Sequence, residues 1–252
     1  MTRRMEKGTI PVICRNCHGT FLVEPFALAR AKYCNRLCQT QAIAARRHYS
    51  APVNVSFDLW QMLLGCALGD SHIKRVGAEK ACMFFGHVIT DEEYLVHKHK
   101  ALAEIGLAGR MRLYNSPTRF SKRPLVRFET PAHPLFHKLH ESIYLNGKKH
   151  LSDQLLNTLT PIAFAYWFQD DGSYWLRRGR YHQVQLCLNG FPWEEADLVP
   201  KYLQRWNMRT HLERDRGTPR LVISNKESVL EWFRLVSPFC ILTRKLPTSL
   251  QR

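Results

Sequence analysis

"AYWFQDDGSYW", residues 165–175, sets two aspartates back to back against a glycine at the end of an aromatic and apolar run. Thr160 is placed to N-cap a helix, and Pro161 suits a first helical position, where no amide donor is needed. The stretch therefore predicts a buried helix from about Pro161 that stops near Gly172. Its end is poorly made for helix stability alone, because a helix C-terminus carries partial negative charge and repels carboxylates by roughly 0.3–1 kcal/mol each. A cation is expected there, either a divalent metal or an Arg/Lys side chain. Taken singly, the stretch also fits an Asp-Asp-Gly turn after a core helix.

A second copy of the pattern separates these readings. "SFDLWQMLLGCALGDSHIKR", residues 56–75, starts with Ser56 as a cap, continues as an apolar helix and ends at Gly69-Asp70-Ser71. Asp70 and Asp171 are 101 residues apart, and the segments after the two aspartates match in order. After Asp70 come strand-like "ACMFFGHV", helix-like "DEEYLVHKHKALAEIG", strands "RMRLYN" and "LVRFET", and helix-like "PLFHKLHESIY". After Asp171 come "YHQVQLCL", helix-like "PWEEADLVPKYLQRW", strands "RTHLERD" and "RLVISN", and helix-like "SVLEWFRLV". A lysine closes each series, Lys149 and Lys245. Gly65 and Gly69 share a face of the first helix, which suggests close approach of another backbone, naturally the other motif helix near Ala165. Such packing would bring Asp70 and Asp171 together, where two carboxylates repel unless divalent cations bridge them. Asp170 then reads as a helix-end or supporting residue rather than a ligand.

"LLGCALGDS" and "FAYWFQDDG" resemble the two signature helices of LAGLIDADG homing endonucleases, specifically the single-chain, two-repeat, intron-encoded type. The resemblance covers residues 56–252, with "LTPIAFAYWFQDDGS" and the "KK" and "RKLP" sites as its most specific parts. It implies an α+β fold of two pseudo-symmetric αββαββα repeats that form a saddle over double-stranded DNA. It also implies metal-dependent cleavage of both strands across the minor groove, with Mg²⁺ or Mn²⁺ held by the eighth-position aspartates, Asp70 and Asp171. The supporting basic residues of the two halves would be Lys149 and Lys245. The first motif departs from the pattern at its sixth position, Leu68, and retains one acid. Two other classes remain open, an RNA maturase acting on intron RNA and an inactive DNA-binding regulator of the same fold. The four retained residues favour cleavage, which would promote mobility of a host intron or intein. With both motifs in one chain, a monomer on a long asymmetric target is expected.

Ahead of the repeats lies "CRNCHGTFLVEPFALARAKYCNRLC". Cys14-x2-Cys17 can present two thiolates to one Zn²⁺, and Cys34 and Cys38, four apart, can share a face at a helix start. About 40 residues scarcely hold a core without such a staple. The segment resembles the small treble-clef-like zinc fingers found beside nuclease domains, with Phe21 and Tyr33 as its mini-core. The expected organisation is a zinc-finger-like module over 1–40, a basic linker over 41–55, repeat 1 over 56–150 and repeat 2 over 151–252. Lys32, Arg36, Arg46 and Arg47 would let the finger assist DNA binding, and Cys66, Cys82, Cys187 and Cys240 lack ligand spacing and read as core.

The 252 residues carry 37 basic against 21 acidic side chains, a net charge of +16, which favours a polyanionic partner. No apolar run reaches the roughly 18 residues of a membrane span, and "MTRRMEKGTI" lacks the apolar core of a secretory signal, so a soluble intracellular protein is expected. Strand alternation sets Arg110, Arg112 and Tyr114 against Met111 and Leu113, and Arg127 and Glu129 against Val126 and Phe128. In the second half Gln183 and Gln185 oppose Val184 and Leu186, while Arg209 and His211 oppose Met208 and Leu212. One sheet face thus reads as core and the other as basic and amide-rich, suited to base edges in the major groove. Lys74 and Arg220 are placed with this DNA-facing set, and Arg177, Arg178 and Arg180 crowd a hairpin suited to gripping phosphate.

Overall fold

Residues 8–40, 52–115, 123–177 and 181–247 are described by the structure, a computed structural model, with the side chains of 176, 177, 181 and 182 left aside. The linker residues 41–51, including Arg46 and Arg47, and the hairpin residues Arg178 and Arg180 therefore lie outside the described residues. The chain divides into two units, Met1–Pro52 and Val53–Arg252.

The first unit is built on a hairpin, β1 (Ile10–Ile13) and β2 (Thr20–Val23), in antiparallel register from Ile10↔Val23 to Ile13↔Thr20. Beyond β1 the chain turns tightly: Cys14 donates its amide to Gly19 O (2.9 Å), His18 returns one to Cys14 O (3.0 Å), and His18 has φ +57°. Asn35 Oδ1 accepts the Cys38 amide (2.8 Å) at a helical start over 36–40. Phe21 and Tyr33 are only half-buried, and among the described residues 8–40 the buried ones are Cys14 and Cys38. This unit has sulfur where a larger domain has an apolar core.

The second unit repeats one pattern twice. The first copy runs α1 (Phe57–Leu68), β3 (His72–Arg75), β4 (Ala81–Val88), α2 (Glu92–Glu104), β5 (Arg112–Tyr114), β6 (Leu125–Glu129) and α3 (Pro134–Ile143). It ends in a short hairpin, β7 (Tyr144–Leu145) with β8 (Lys148–Lys149). After α4 (Asp153–Thr158) the second copy runs α5 (Pro161–Asp171), β9 (Gly172–Arg177), β10 (Tyr181–Cys187), α6 (Trp193–Ala196), α7 (Leu198–Leu203), β11 (His211–Asp215), β12 (Thr218–Ile223) and α8 (Lys226–Val236). The antiparallel sheets share one order, β3-β4-β6-β5 and β9-β10-β12-β11. The spacing of 101 persists in their register, since His72↔Phe84 in the first corresponds to Ser173↔Gln185 in the second.

Both motif helices are buried along nearly their whole length, α1 from Leu59 except Trp60, and α5 from Ala163 to Gln169. They pack with almost no space between them, because a Cβ on Gly65 would lie 2.2 Å from the Ala163 carbonyl oxygen. Ser56 caps α1 by accepting the Leu59 amide (3.1 Å). Thr160 occupies the cap position of α5 without capping it: its amide (2.9 Å) and hydroxyl (3.0 Å) both donate to Gln61 Oε1 on α1. The start of one motif helix is thereby tied to the other.

Four local expectations are corrected. The single helix expected over 192–206 is split into α6, α7 and a 3-10 turn, because Pro200 has no amide to donate to Ala196. Leu113, expected in the core, is 55% exposed because β5 is a three-residue edge strand. Cys187, the last residue of β10, is exposed, on the face opposite Val184 and Leu186. The span expected for β5, 110–115, shortens to Arg112–Tyr114. Among the described residues no helix is long and apolar enough to cross a membrane.

Candidate active site

The two motif helices end side by side, and each end is met by the lysine that closes its own repeat. Lys149 Nζ donates to the carbonyls of Leu68 (3.3 Å) and Gly69 at the end of α1. Lys245 Nζ donates to Phe168 O (3.3 Å), Asp170 O (3.3 Å) and Gly172 O (2.8 Å) at the end of α5. The cations that these negative helix ends require are therefore lysine ammoniums on carbonyls. Burial lowers both lysines from their ordinary value, with the three nearby aspartates pulling the other way.

Each lysine segment is also clasped by the opposite repeat. Arg244 makes a two-pronged pair with buried Asp91 at the head of α2 (3.0 and 2.6 Å). Glu195 in α6 takes His150 Nδ1 (2.8 Å) and the Leu151 amide (2.8 Å). Gln169, buried in α5, accepts the amides of Ile241 (2.5 Å) and Leu242 (2.8 Å) and so fixes the approach to Lys245.

With the lysines engaged on carbonyls, no hydrogen bond or ion pair among the described residues reaches the carboxylate of Asp70 or Asp171. Asp70 is open to solvent at one edge and Asp171 half-exposed. Burial pushes Asp70 up to about 6, and the Asp170 charge adds to it. Burial likewise pushes Asp171 up to about 7, with Asp70 as the next cause. Two free, mutually repelling carboxylates facing solvent suit a divalent cation with oxygen ligands.

Asp170 is different. Its Oδ1 lies 2.9 Å from Lys98 Nζ, with both side chains wholly buried, and its Oδ2 accepts the Asp70 amide (3.2 Å). The Lys98 ammonium also meets His87 Nε2 at 2.9 Å and lies 3.8 Å from the Tyr94 ring centroid. Burial lowers His87 to about 4, so it is neutral and accepts from Lys98. Burial opposes the Lys98 charge, but Asp170 outweighs it and the ammonium is raised. Asp70, His87 and Asp170 could by spacing hold a metal, their ligand atoms lying within 4.8 Å of one another. Lys98 already supplies the cation there.

Sequence reasoning missed Lys98 and His87. One signal was present: Tyr94, Lys98 and Leu102 are four apart and all buried, a lysine on an apolar helix stripe.

A groove of about 750 Å³ leads from Asp70 over the first sheet, lined by His72, Arg110, Arg112, Arg127 and Glu129. Arg110, Arg112 and Arg127 are exposed there, as are Lys74 on β3 and Arg209 and His211 at β11. Arg127 lies over Gly86, where a Cβ would stand 2.9 Å from its Cγ. The expectation of exposed glutamines is corrected: Gln183 and Gln185 keep the predicted alternation yet are 2% and 5% exposed. Gln183 lies across the ladder from Trp175, and Gln185 Oε1 accepts from Arg220 (2.7 Å), which is paired in turn with Asp215 (2.5 Å). Arg220 is thus engaged rather than free. Arg177 ends β9, with its side chain outside the described set.

In the first unit the Sγ atoms of Cys14, Cys17, Cys34 and Cys38 all lie within 4.8 Å of one another, with Cys17–Cys34 at 3.7 Å and Cys34–Cys38 at 3.5 Å. A tetrahedral site with Zn–S of about 2.3 Å spaces its sulfurs about 3.8 Å apart. The hydrogen bond to Cys38, then burial and the neighbouring sulfurs, push Cys34 up to about 12. Burial raises Cys14 too, but backbone hydrogen bonds outweigh it and lower that thiol to about 6; a bound cation would favour the thiolate of Cys34.

The sequence profile of the LAGLIDADG DNA endonuclease family matches residues 60–230, more than half of the chain. The chain belongs to this family. The probable intron-encoded endonuclease 1 of Wickerhamomyces canadensis is 27% identical over 186 residues, 72% of this chain and 79% of that protein. The cytochrome b mRNA maturase bI2 of Debaryomyces hansenii is 28% identical over 163 residues, 62% of this chain; the match spans 60% of the maturase's length. Among solved structures, the homing endonuclease I-WcaI bound to its DNA recognition sequence superposes with a TM-score of 0.70 at 23% identity, covering 84% of this chain and 93% of that one. This superposition establishes the LAGLIDADG fold: two repeats of sheet and helices, as the sequence implied.

Proposed function

We propose that this LAGLIDADG protein is a site-specific homing endonuclease that hydrolyses both strands of a long, asymmetric DNA duplex and promotes mobility of a host intron or intein. One observation carries this reading: two carboxylates left free between two lysine-capped helix ends, at the foot of a basic groove. Asp70 and Asp171 would hold Mg²⁺ or Mn²⁺, which when bound lowers the pKa of a water and offsets phosphate charge. Lys149 and Lys245 hold positive charge at the helix ends, where negative charge on the phosphates develops. Arg110, Arg112, Arg127, Lys74, Arg209 and His211 meet the duplex, with affinity drawn mainly from phosphates. Arg220 joins them on release from Asp215. A single chain supplies both half-sites.

The test is selection of cleaved sites from a randomised duplex library in Mg²⁺. Recovery of one asymmetric sequence cut on both strands supports the reading, and a symmetric site or no enrichment counts against it. A second reading, help with intron splicing, has the likeness to the bI2 maturase behind it. Splicing that persists in a variant lacking Asp171 would favour it.

The finger would hold one Zn²⁺ through Cys14, Cys17, Cys34 and Cys38, since its buried residues are cysteines. Elemental analysis of protein purified without chelator is expected to give about one equivalent of zinc. Replacing Cys14 with serine should abolish it. Less than about half an equivalent in the wild type would refute the site.

A further inference from the structure

The two halves of the site are not built alike. By the spacing of 101, His87, Lys98 and Asp170 correspond to Leu188, Val199 and Gly69 in the opposite repeats. The same spacing relates the left-handed helix ends Gly106 (φ +73°) and Asn207 (φ +55°). Leu188 and Val199 are wholly buried. The fold thus closes one half with apolar residues and the other with a buried ion pair.

Such a pair is a poor stability device. Desolvating each ion is costly, and hydrophobic residues of similar volume often serve as well or better. The opposite half does without it. The geometry of Asp70 shows what the pair accomplishes. Helix α5 runs through Asp171, whereas α1 ends at Leu68, two residues short of Asp70. Gly69 donates its amide to Gly65 O (3.0 Å), and Ser71 takes Cys66 O (3.0 Å), the acceptor a continuing helix would have offered to Asp70. The Asp70 amide goes instead to Asp170 Oδ2. Gly69 leaves the room: a Cβ there would stand 2.5 Å from the Asp170 Cβ.

We infer that Asp170, held across the repeat boundary by Lys98, is a positioning residue whose side-chain oxygen fixes the Asp70 turn and makes the two half-sites unequal. This rests on the nuclease reading for its effect on cleavage, though not for the positioning itself. Asp171 is carried by its helix, and Asp70 is carried by a side chain of the other repeat. Loss of the pair should therefore slow nicking of one strand more than of the other.

The experiment compares wild type with Lys98→Met/Asp170→Ala, which leaves no unpaired buried charge, and with Lys98→Met/Asp170→Asn, which keeps an acceptor oxygen. Folding is checked by near-UV circular dichroism. Hydrogen exchange at the Asp70 amide should quicken at least about tenfold in the alanine variant and recover largely in the asparagine variant. With the selected duplex, the ratio of the two strands' nicking rates should shift at least about tenfold in the alanine variant and return toward wild type with asparagine. Unchanged exchange at Asp70 in a folded alanine variant overturns the inference. So does equal slowing of both strands, or an asparagine variant as impaired as the alanine one. Wild type that nicks neither strand defeats the nuclease reading and the unequal cleavage with it, and the amide measurement then decides the positioning alone.

Discussion

Replacing Asp171 by asparagine is expected to slow cleavage of the selected duplex at least about a thousandfold, about 4 kcal/mol of barrier, while most of the DNA affinity survives. Asparagine keeps the size of the side chain and its place at the end of α5, and removes only the charge. On the proposed reading, affinity is spread over the exposed arginines of the groove and Arg209 beside β11, away from Asp171. Ca²⁺, larger and less exacting in geometry, should support binding with little cutting. Single-turnover rates in Mg²⁺ and gel shifts in Ca²⁺ measure the two effects, and a variant cutting both strands near the wild-type rate would rule out the paired site. Proton linkage gives a second readout. Asp70 at about 6 and Asp171 at about 7 stand above the ordinary carboxylate value in the metal-free fold. Groups raised on folding stabilise it when protonated, so that contribution is lost as pH rises through those values. A divalent cation offsets this loss. Mg²⁺ should therefore raise Tm more near about pH 8 than near about pH 5; equal shifts at both would count against these carboxylates as ligands.

Much of this arrangement was legible in the sequence because it is carried by periodicity. The spacing between Asp70 and Asp171, the closing lysines and the strand alternation are one-dimensional signals, and the sheets reproduce them in order and register. The features that escaped depend on contacts between distant elements. Gln183 alternates as expected yet is buried, opposite Trp175 on the neighbouring strand. Lys98 sits in "HKHK", which by composition is a solvated helix face, and its partner Asp170 is 72 residues away in the other repeat. Even the question raised by the paired aspartates had two answers. Lys245 neutralises the helix end and Lys98 neutralises Asp170, and the cation site proposed here is assigned to Asp171 and Asp70 because their carboxylates are left over.

Gly65→Ala provides the sharpest test of the helix pair, because local and tertiary physics give it opposite signs. By helix propensity alone, alanine in place of a mid-helix glycine stabilises by about 1 kcal/mol. Against this, the new Cβ would lie 2.2 Å from the Ala163 carbonyl oxygen and 2.9 Å from the Tyr166 Cβ. The first obstacle is backbone, so no change of rotamer relieves it and Ala163→Gly should not rescue it. The helices must part, and overpacking a buried contact of this kind costs about 1–3 kcal/mol or more, enough to reverse the propensity gain. The same two helices carry Asp70 and Asp171 at their ends, and a misplacement of about 1 Å at a reacting centre can cost about a hundredfold. The expected result is a lower urea midpoint with an unchanged slope, together with a fall in single-turnover cleavage of at least about a hundredfold. A midpoint equal to or above that of the wild type would mean that the helices do not meet at Gly65, and the joint placement of the two aspartates would lose its support.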